Sequence, residues 1–130
     1  MSETKIEDAI SRVIVTAAIE VHRTLGGPGL LESVYEEALA WELEDRGLEV
    51  ERQKPIPIRY KEHELASPLF LDLLVDERVI VECKATSEYN AIYETQTLTY
   101  LRLMNLRLGL VINFGERLVK DGIHRVVNGL

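Results

Sequence analysis

The stretch PLFLDLLVDERVIVECKAT, residues 68–86, constrains this chain more than any other. It reads as two apolar strands joined by a short polar turn at Asp76-Glu77-Arg78, with Asp72, Glu82 and Lys84 set inside the hydrophobic runs. Strand side chains alternate faces, so Leu69, Leu71, Leu73 and Val75 are expected on one side and Phe70, Asp72 and Leu74 on the other. In the second strand Val79, Val81 and Cys83 oppose Ile80, Glu82 and Lys84. Centring the turn on Glu77 pairs Leu73 with Val81 and Leu71 with Cys83, which gives one clean hydrophobic face. A turn with an even number of residues mixes charged and apolar side chains on both faces, so an odd-length or bulged connection is expected. That register sets Asp72 across from Glu82 and Phe70 across from Lys84.

The arrangement is electrostatically costly. Two carboxylates about 5 Å apart, at an effective dielectric of about 20, repel by about 3 kcal/mol. A favourable cross-strand pair returns only roughly 0.2–1 kcal/mol. Either a cation sits between them or one carboxyl keeps its proton. The Lys84 ammonium and a divalent metal are the candidates. The plainer alternative is a structural ion pair, but apolar replacements usually serve better than a buried pair with a charge surplus.

The remaining chain supplies a frame for these strands. Its 130 residues suit one domain spanning 1–130, with a substantial core. Residues near Thr4-x-x-Glu7 read as a capping box, and apolar positions 6, 10, 13, 14, 17, 18, 21 and 25 mark an amphipathic helix. Gly26-Gly27-Pro28-Gly29 stops it. A second helix is expected from about Leu30, burying Leu31, Val34, Tyr35 and Ala38 and ending at Gly47 as a left-handed cap. Glu32 in its first turn suits the helix dipole, which alone would explain it. Leu48 to Lys61 reads as an edge or broken strand, because Pro55 and Pro57 cannot donate to a ladder.

Asn90 opens a third helix running to about Leu106, with Gln96 and Tyr100 on one face. Leu108 to Phe114 is a buried strand. Arg117–Lys120 and Ile123–Val127 are expected to form a hairpin around Asp121-Gly122. Tyr35 and Trp41 are assigned to the core, His22 and His124 to structural roles, and His63 to a solvated turn.

The formal net charge is −7, and the first fifty residues hold eleven of the 22 acids but four of the 15 bases. Such an acidic balance argues against tight nonspecific binding to a phosphate backbone. Arg102, Arg107, Arg117, Lys120 and Arg125 leave a basic surface available near the C-terminus. No apolar run reaches membrane-spanning length, and MSETKIEDAI lacks the regions of a signal peptide. A single cysteine allows no internal disulfide, which fits a reducing cytoplasm.

Hard cations such as Mg²⁺ take one or two carboxylates, a carbonyl and several waters. Asp72, Glu82 and the backbone carbonyl of Cys83 could provide the protein ligands, with Glu32 completing the shell. Lys84 could then orient a water or stabilise charge on a phosphate.

Asp72 followed by Glu82-x-Lys84 resembles the PD-(D/E)XK nuclease superfamily, and Gln96-x-x-x-Tyr100 resembles the added motif of its exonuclease-like branch. Gly29-Leu30-Leu31-Glu32-Ser33-Val34-Tyr35 resembles the signature of the GxxExxY family, a small bacterial and archaeal group within it. The resemblance implies an α/β (α+β) fold with a restriction-endonuclease-like αβββαβ core, a mixed central sheet flanked by helices. It implies Glu32, Asp72, Glu82 and Lys84 as catalytic and metal residues, Mg²⁺ or Mn²⁺ as cofactor, and Gln96 and Tyr100 as site support or substrate contacts. The expected activity is metal-dependent hydrolysis of nucleic acid, with DNA favoured. The alternative is a non-catalytic nuclease-fold module that binds nucleic acid or a protein partner. Exposed edges near Pro55 and the C-terminal hairpin are compatible with a homodimer.

Overall fold

The structure, a computed structural model, describes residues 3–130, with side chains from Ile6 onward. Helix α1 (Glu3–Thr24) buries Ile10, Ile14, Ala17, Ala18 and Val21, the stripe its apolar periodicity foretells. Thr4 falls inside its first turn rather than ahead of it, and the Thr4 side chain lies outside the described residues. Helix α2 (Glu32–Asp45) follows the glycine-rich turn and ends where Gly47 takes a φ of +90°.

Strand β1 (Val50–Ile56) leads through a small hairpin, β2 (Arg59–Tyr60) and β3 (His63–Glu64), to strands β4 (Leu69–Val75) and β5 (Val79–Lys84). Helix α3 (Ile92–Met104) crosses over to β6 (Leu108–Asn113), and β7 (Ile123–Val127) closes the sheet. The sheet order is β1-β4-β5-β6-β7, with β5 and β6 parallel and the other neighbours antiparallel. The run α2-β1-β4-β5-α3-β6 is an αβββαβ core. Helices α1 and α2 cover one face with Leu73, Val75, Val79, Val81, Cys83, Leu110 and Phe114, while α3 covers the other with Leu71, Leu74, Ile80 and Val111. Asn90 Oδ1 accepts the Ile92 N–H at 2.9 Å and so helps start α3.

Several expectations need correction. Residues 119–122 form a 3₁₀ turn, so the C-terminal hairpin is replaced by a single edge strand, β7, on β6. Trp41 is 64% exposed instead of belonging to the core. Helix α2 starts at Glu32 and buries Tyr35, Glu36, Leu39, Ala40 and Leu43, while Leu31 and Val34 are exposed. Leu71 packs with Leu74 and Ile80 on the α3 side, not with Leu73. The alternation of β4 fails at Asp72, for a reason given below.

These placements are testable by urea unfolding. Trp41→Ser should change the unfolding free energy by less than about 0.5 kcal/mol. Leu39→Ala, in the buried stripe, should lower it by about 2–5 kcal/mol.

Candidate functional site

The β4–β5 ladder pairs Leu73 with Val81 and Val75 with Val79 around a three-residue turn in which Asp76 and Glu77 have positive φ. The odd-length turn and the Glu77-centred register are as the hydrophobic faces require. Pairing then stops. Where it would continue, Oδ2 of Asp72 accepts the Cys83 N–H at 2.8 Å. Leu71 therefore does not pair with Cys83, nor Phe70 with Lys84; Phe70 is exposed and Lys84 pairs with Asn113 of β6. A side chain substituting in the ladder separates the strands and re-aims the residues beside it.

Glu82 lies at this break, 7% exposed. Burial first, then the Asp72 charge and a shared hydrogen bond with Asp72, push its carboxyl up to about 9, with Lys84 opposing. Thus one carboxyl of the pair holds a proton, the second of the two outcomes electrostatics allows. Glu82 Oε1 is nevertheless buried without a hydrogen-bond partner, one of two such side-chain atoms among the described residues. A buried polar atom without a protein partner is costly and leaves room for a water or an ion to bond it.

Glu32 reaches the site from the start of α2. The turn before it places Gly29 at φ +117°, a conformation that glycine adopts without strain. The Tyr35 hydroxyl donates to the Gly27 carbonyl at 2.6 Å and accepts the Leu30 N–H at 3.2 Å, while its ring stacks on Phe114 at 4.8 Å. That clamp accounts for the Gly29-Glu32-Tyr35 spacing: glycine turns the chain, tyrosine pins the turn, and Glu32 is presented between them. Desolvation raises the Glu32 carboxyl, Lys84 and the Ala85 N–H pull it down, and Asp72 raises it further. The Ala85 segment is itself fixed by Asn113, whose amide bonds both Thr86 N and Thr86 O at 3.0 Å.

Lys84 does not fill the gap. Its ammonium lies 4.7 Å from the Tyr93 ring centroid, and no ion pair among the described residues includes it. Tyr100 is half-buried, its hydroxyl raised by burial and by the charges of Glu82 and Asp72. Gln96 is exposed on α3, and no bond ties it to the cluster among the described residues. It shares a helical stripe with Tyr93 and Tyr100, both of which reach the site. The Cys83 thiol is buried in the core and pushed well up by burial, leaving only its backbone for chemistry.

Two participants escaped sequence reasoning. Glu36, 5% exposed, bonds Arg52 at 3.2 Å and Gln53 at 2.8 Å. Burial and then Asp72 raise its carboxyl, against Arg52 and Gln53. Gln53 also approaches Asp72 Oδ1 at 3.3 Å. The available signal was spacing: Glu36 follows Glu32 by four residues and shares its helix face.

Comparison with known proteins agrees with this frame. A family model described as the PD-(D/E)XK nuclease superfamily matches residues 8–126, and the chain belongs to that superfamily. Its mixed five-stranded sheet flanked by helices is a restriction-endonuclease-like PD-(D/E)XK fold. No curated protein and no solved structure matches the chain.

Members of the superfamily generally use divalent metals. Among the described residues no three His, Cys, Asp or Glu side chains are gathered into a cage. Two adjacent carboxylates, with one partnerless oxygen between buried walls, fit a hard cation that keeps several waters better than one fully enclosed by protein.

The raised Glu82 carboxyl fixes a pH dependence. Folded protein holds that proton up to about 9 while the unfolded chain releases it near the ordinary value of 4.5. Raising pH between these values therefore favours unfolding. In EDTA, urea midpoints should fall from pH 5 to pH 9, and Glu82→Gln should remove most of that fall.

Proposed function

We propose that the chain is a divalent-metal-dependent nuclease-like protein of the GxxExxY group, hydrolysing phosphodiester bonds of nucleic acid. The observation that carries this reading is the buried, partnerless Glu82 oxygen beside Asp72. Asp72, Glu82 and the Cys83 carbonyl would hold Mg²⁺ or Mn²⁺, with Glu32 beside them to orient a water of the ion rather than to ligate it. Such an ion, when bound, polarises a phosphoryl oxygen and makes a coordinated water more acidic. DNA is preferred to RNA on the family resemblance alone.

The chain's own residues have separable tasks. Asp72 keeps its orientation through the Cys83 N–H. Glu82 would hold the ion as a carboxylate, its proton passing to solvent. Lys84, resting against Tyr93 and close enough to Glu32 and Glu82 to pull both carboxyls down, would orient the attacking water or stabilise charge on the pentacovalent phosphate. Tyr100 borders the carboxylates, and Gln96, exposed on the same stripe, supports the site or touches substrate.

Thermal unfolding with Mn²⁺ separates this reading from a structural ion pair. Wild type should gain about 2.7 kcal/mol at a free Mn²⁺ concentration of about 100 Kd. Asp72→Asn and Glu82→Gln should keep the metal-free fold and lose that gain. Lys84→Ala should keep the gain yet cut cleavage of plasmid and single-stranded DNA by about a hundredfold or more. An Asp72→Asn protein that is destabilised, with Mn²⁺ inert on both versions, would mark a structural ion pair. Mn²⁺ binding with no cleavage of any nucleic acid would mark a non-catalytic binding module.

A further inference from the structure

Gln53 holds a φ of +49° in the middle of β1. The β1–β4 ladder pairs Arg52 with Leu73 and Lys54 with Leu71 but skips Gln53 and Asp72. A non-glycine residue in the left-handed region is disfavoured and persists only where its surroundings over-determine it. Here side chains do so. Gln53 Nε2 donates to Glu36 Oε1 at 2.8 Å and to Asp72 Oδ1 at 3.3 Å. Arg52 Nη2 donates to Glu36 Oε2 at 3.2 Å.

In a regular strand, residues 52 and 53 point to opposite faces. The kink lets both reach one buried carboxylate from α2, and it turns the amide of Gln53 toward Asp72. Asp72 is thereby held on both oxygens, by Cys83 N–H on Oδ2 and by Gln53 on Oδ1. Holding a ligand's second oxygen is how residues outside the coordination shell tune a metal site.

We propose that Glu36 and Gln53 are positioning residues: Glu36 anchors the Gln53 amide, which orients Asp72 so that it can share a dication with Glu82. The inference rests on the metal reading of this site and adds to it a link between helix α2 and the ligand on β4. Glu36 positions Asp72 through the Gln53 amide, and its charge also bears on Asp72 directly.

The test combines Mn²⁺ titration calorimetry with amide hydrogen exchange of metal-free protein. Gln53→Gly suits the left-handed backbone and removes only the amide. It should weaken Mn²⁺ binding by about tenfold or more. It should also speed exchange at Cys83, whose N–H depends on Asp72, while Val81 is unchanged. Glu36→Gln retains an oxygen that can accept from Gln53 and should keep most of the affinity, whereas Glu36→Leu should lose as much as Gln53→Gly. The Glu36→Leu/Gln53→Gly pair should lose less than the two single losses combined, because both weaken the same contact to Asp72. Unchanged Mn²⁺ affinity and unchanged Cys83 exchange in Gln53→Gly would overturn the proposal. If wild type binds no Mn²⁺, the metal reading fails separately, and Cys83 exchange alone decides: faster in Gln53→Gly upholds the positioning role and unchanged overturns it.

Discussion

A single hydrogen bond, from the Cys83 N–H to the carboxylate of Asp72, shapes the chemistry of this molecule. It replaces the next step of the β4–β5 ladder, so the strands stop pairing after Leu73 and Val81. The opening is where Glu82 sits, buried and incompletely bonded. It also ends the alternation of β4, which is why Leu71 and Leu74 pack on the same side of the sheet. A regular ladder would have consumed the backbone groups and left the carboxylates facing one another with nothing between them.

Both layers of helices converge on that opening. Helix α2 brings Glu32 and Glu36 four residues apart, and its placement depends on the Tyr35 hydroxyl pinning the preceding turn. Helix α3 brings Tyr93 under Lys84 and Tyr100 near the carboxylates. The acids at the site raise one another, and Lys84 and Arg52 offset only part of the cost. Stability is given up at this position, as happens where a site is built for a ligand more than for folding. The superfamily and its fold are shown; the nuclease reading assigns the strain a purpose.

The fold was largely legible because its signals are local and redundant. Apolar periodicity marks α1, the Gly26–Gly29 run ends it, and an odd turn follows from keeping Val79 and Val81 with Leu73 and Val75 on one face. Asp72, Glu82 and Lys84 stood out as charges inside apolar strands, an anomaly visible without coordinates. What could not be read were features decided by tertiary context. Asp-Gly at 121–122 looks like a hairpin turn, but residues 119–122 wind as a 3₁₀ turn packed so closely on Asn113 that any side chain at Gly122 would strike its carbonyl. Trp41 was misplaced because α2 buries the stripe Tyr35, Leu39 and Leu43, which leaves Val34 and Trp41 exposed. Gln53 gave no signal, since left-handed glutamine in a strand follows from its partners and not from its own preference.

The central claim is that the Asp72–Glu82 pair keeps a proton that a dication displaces. Mn²⁺ titration calorimetry near pH 7.5, in two buffers of different ionisation enthalpy, counts that proton directly. The account predicts release of about one proton per Mn²⁺ bound by wild type, and no Mn²⁺ binding by Glu82→Gln. Wild-type binding that releases none, or Mn²⁺ binding retained by the variant with the same release, would contradict it.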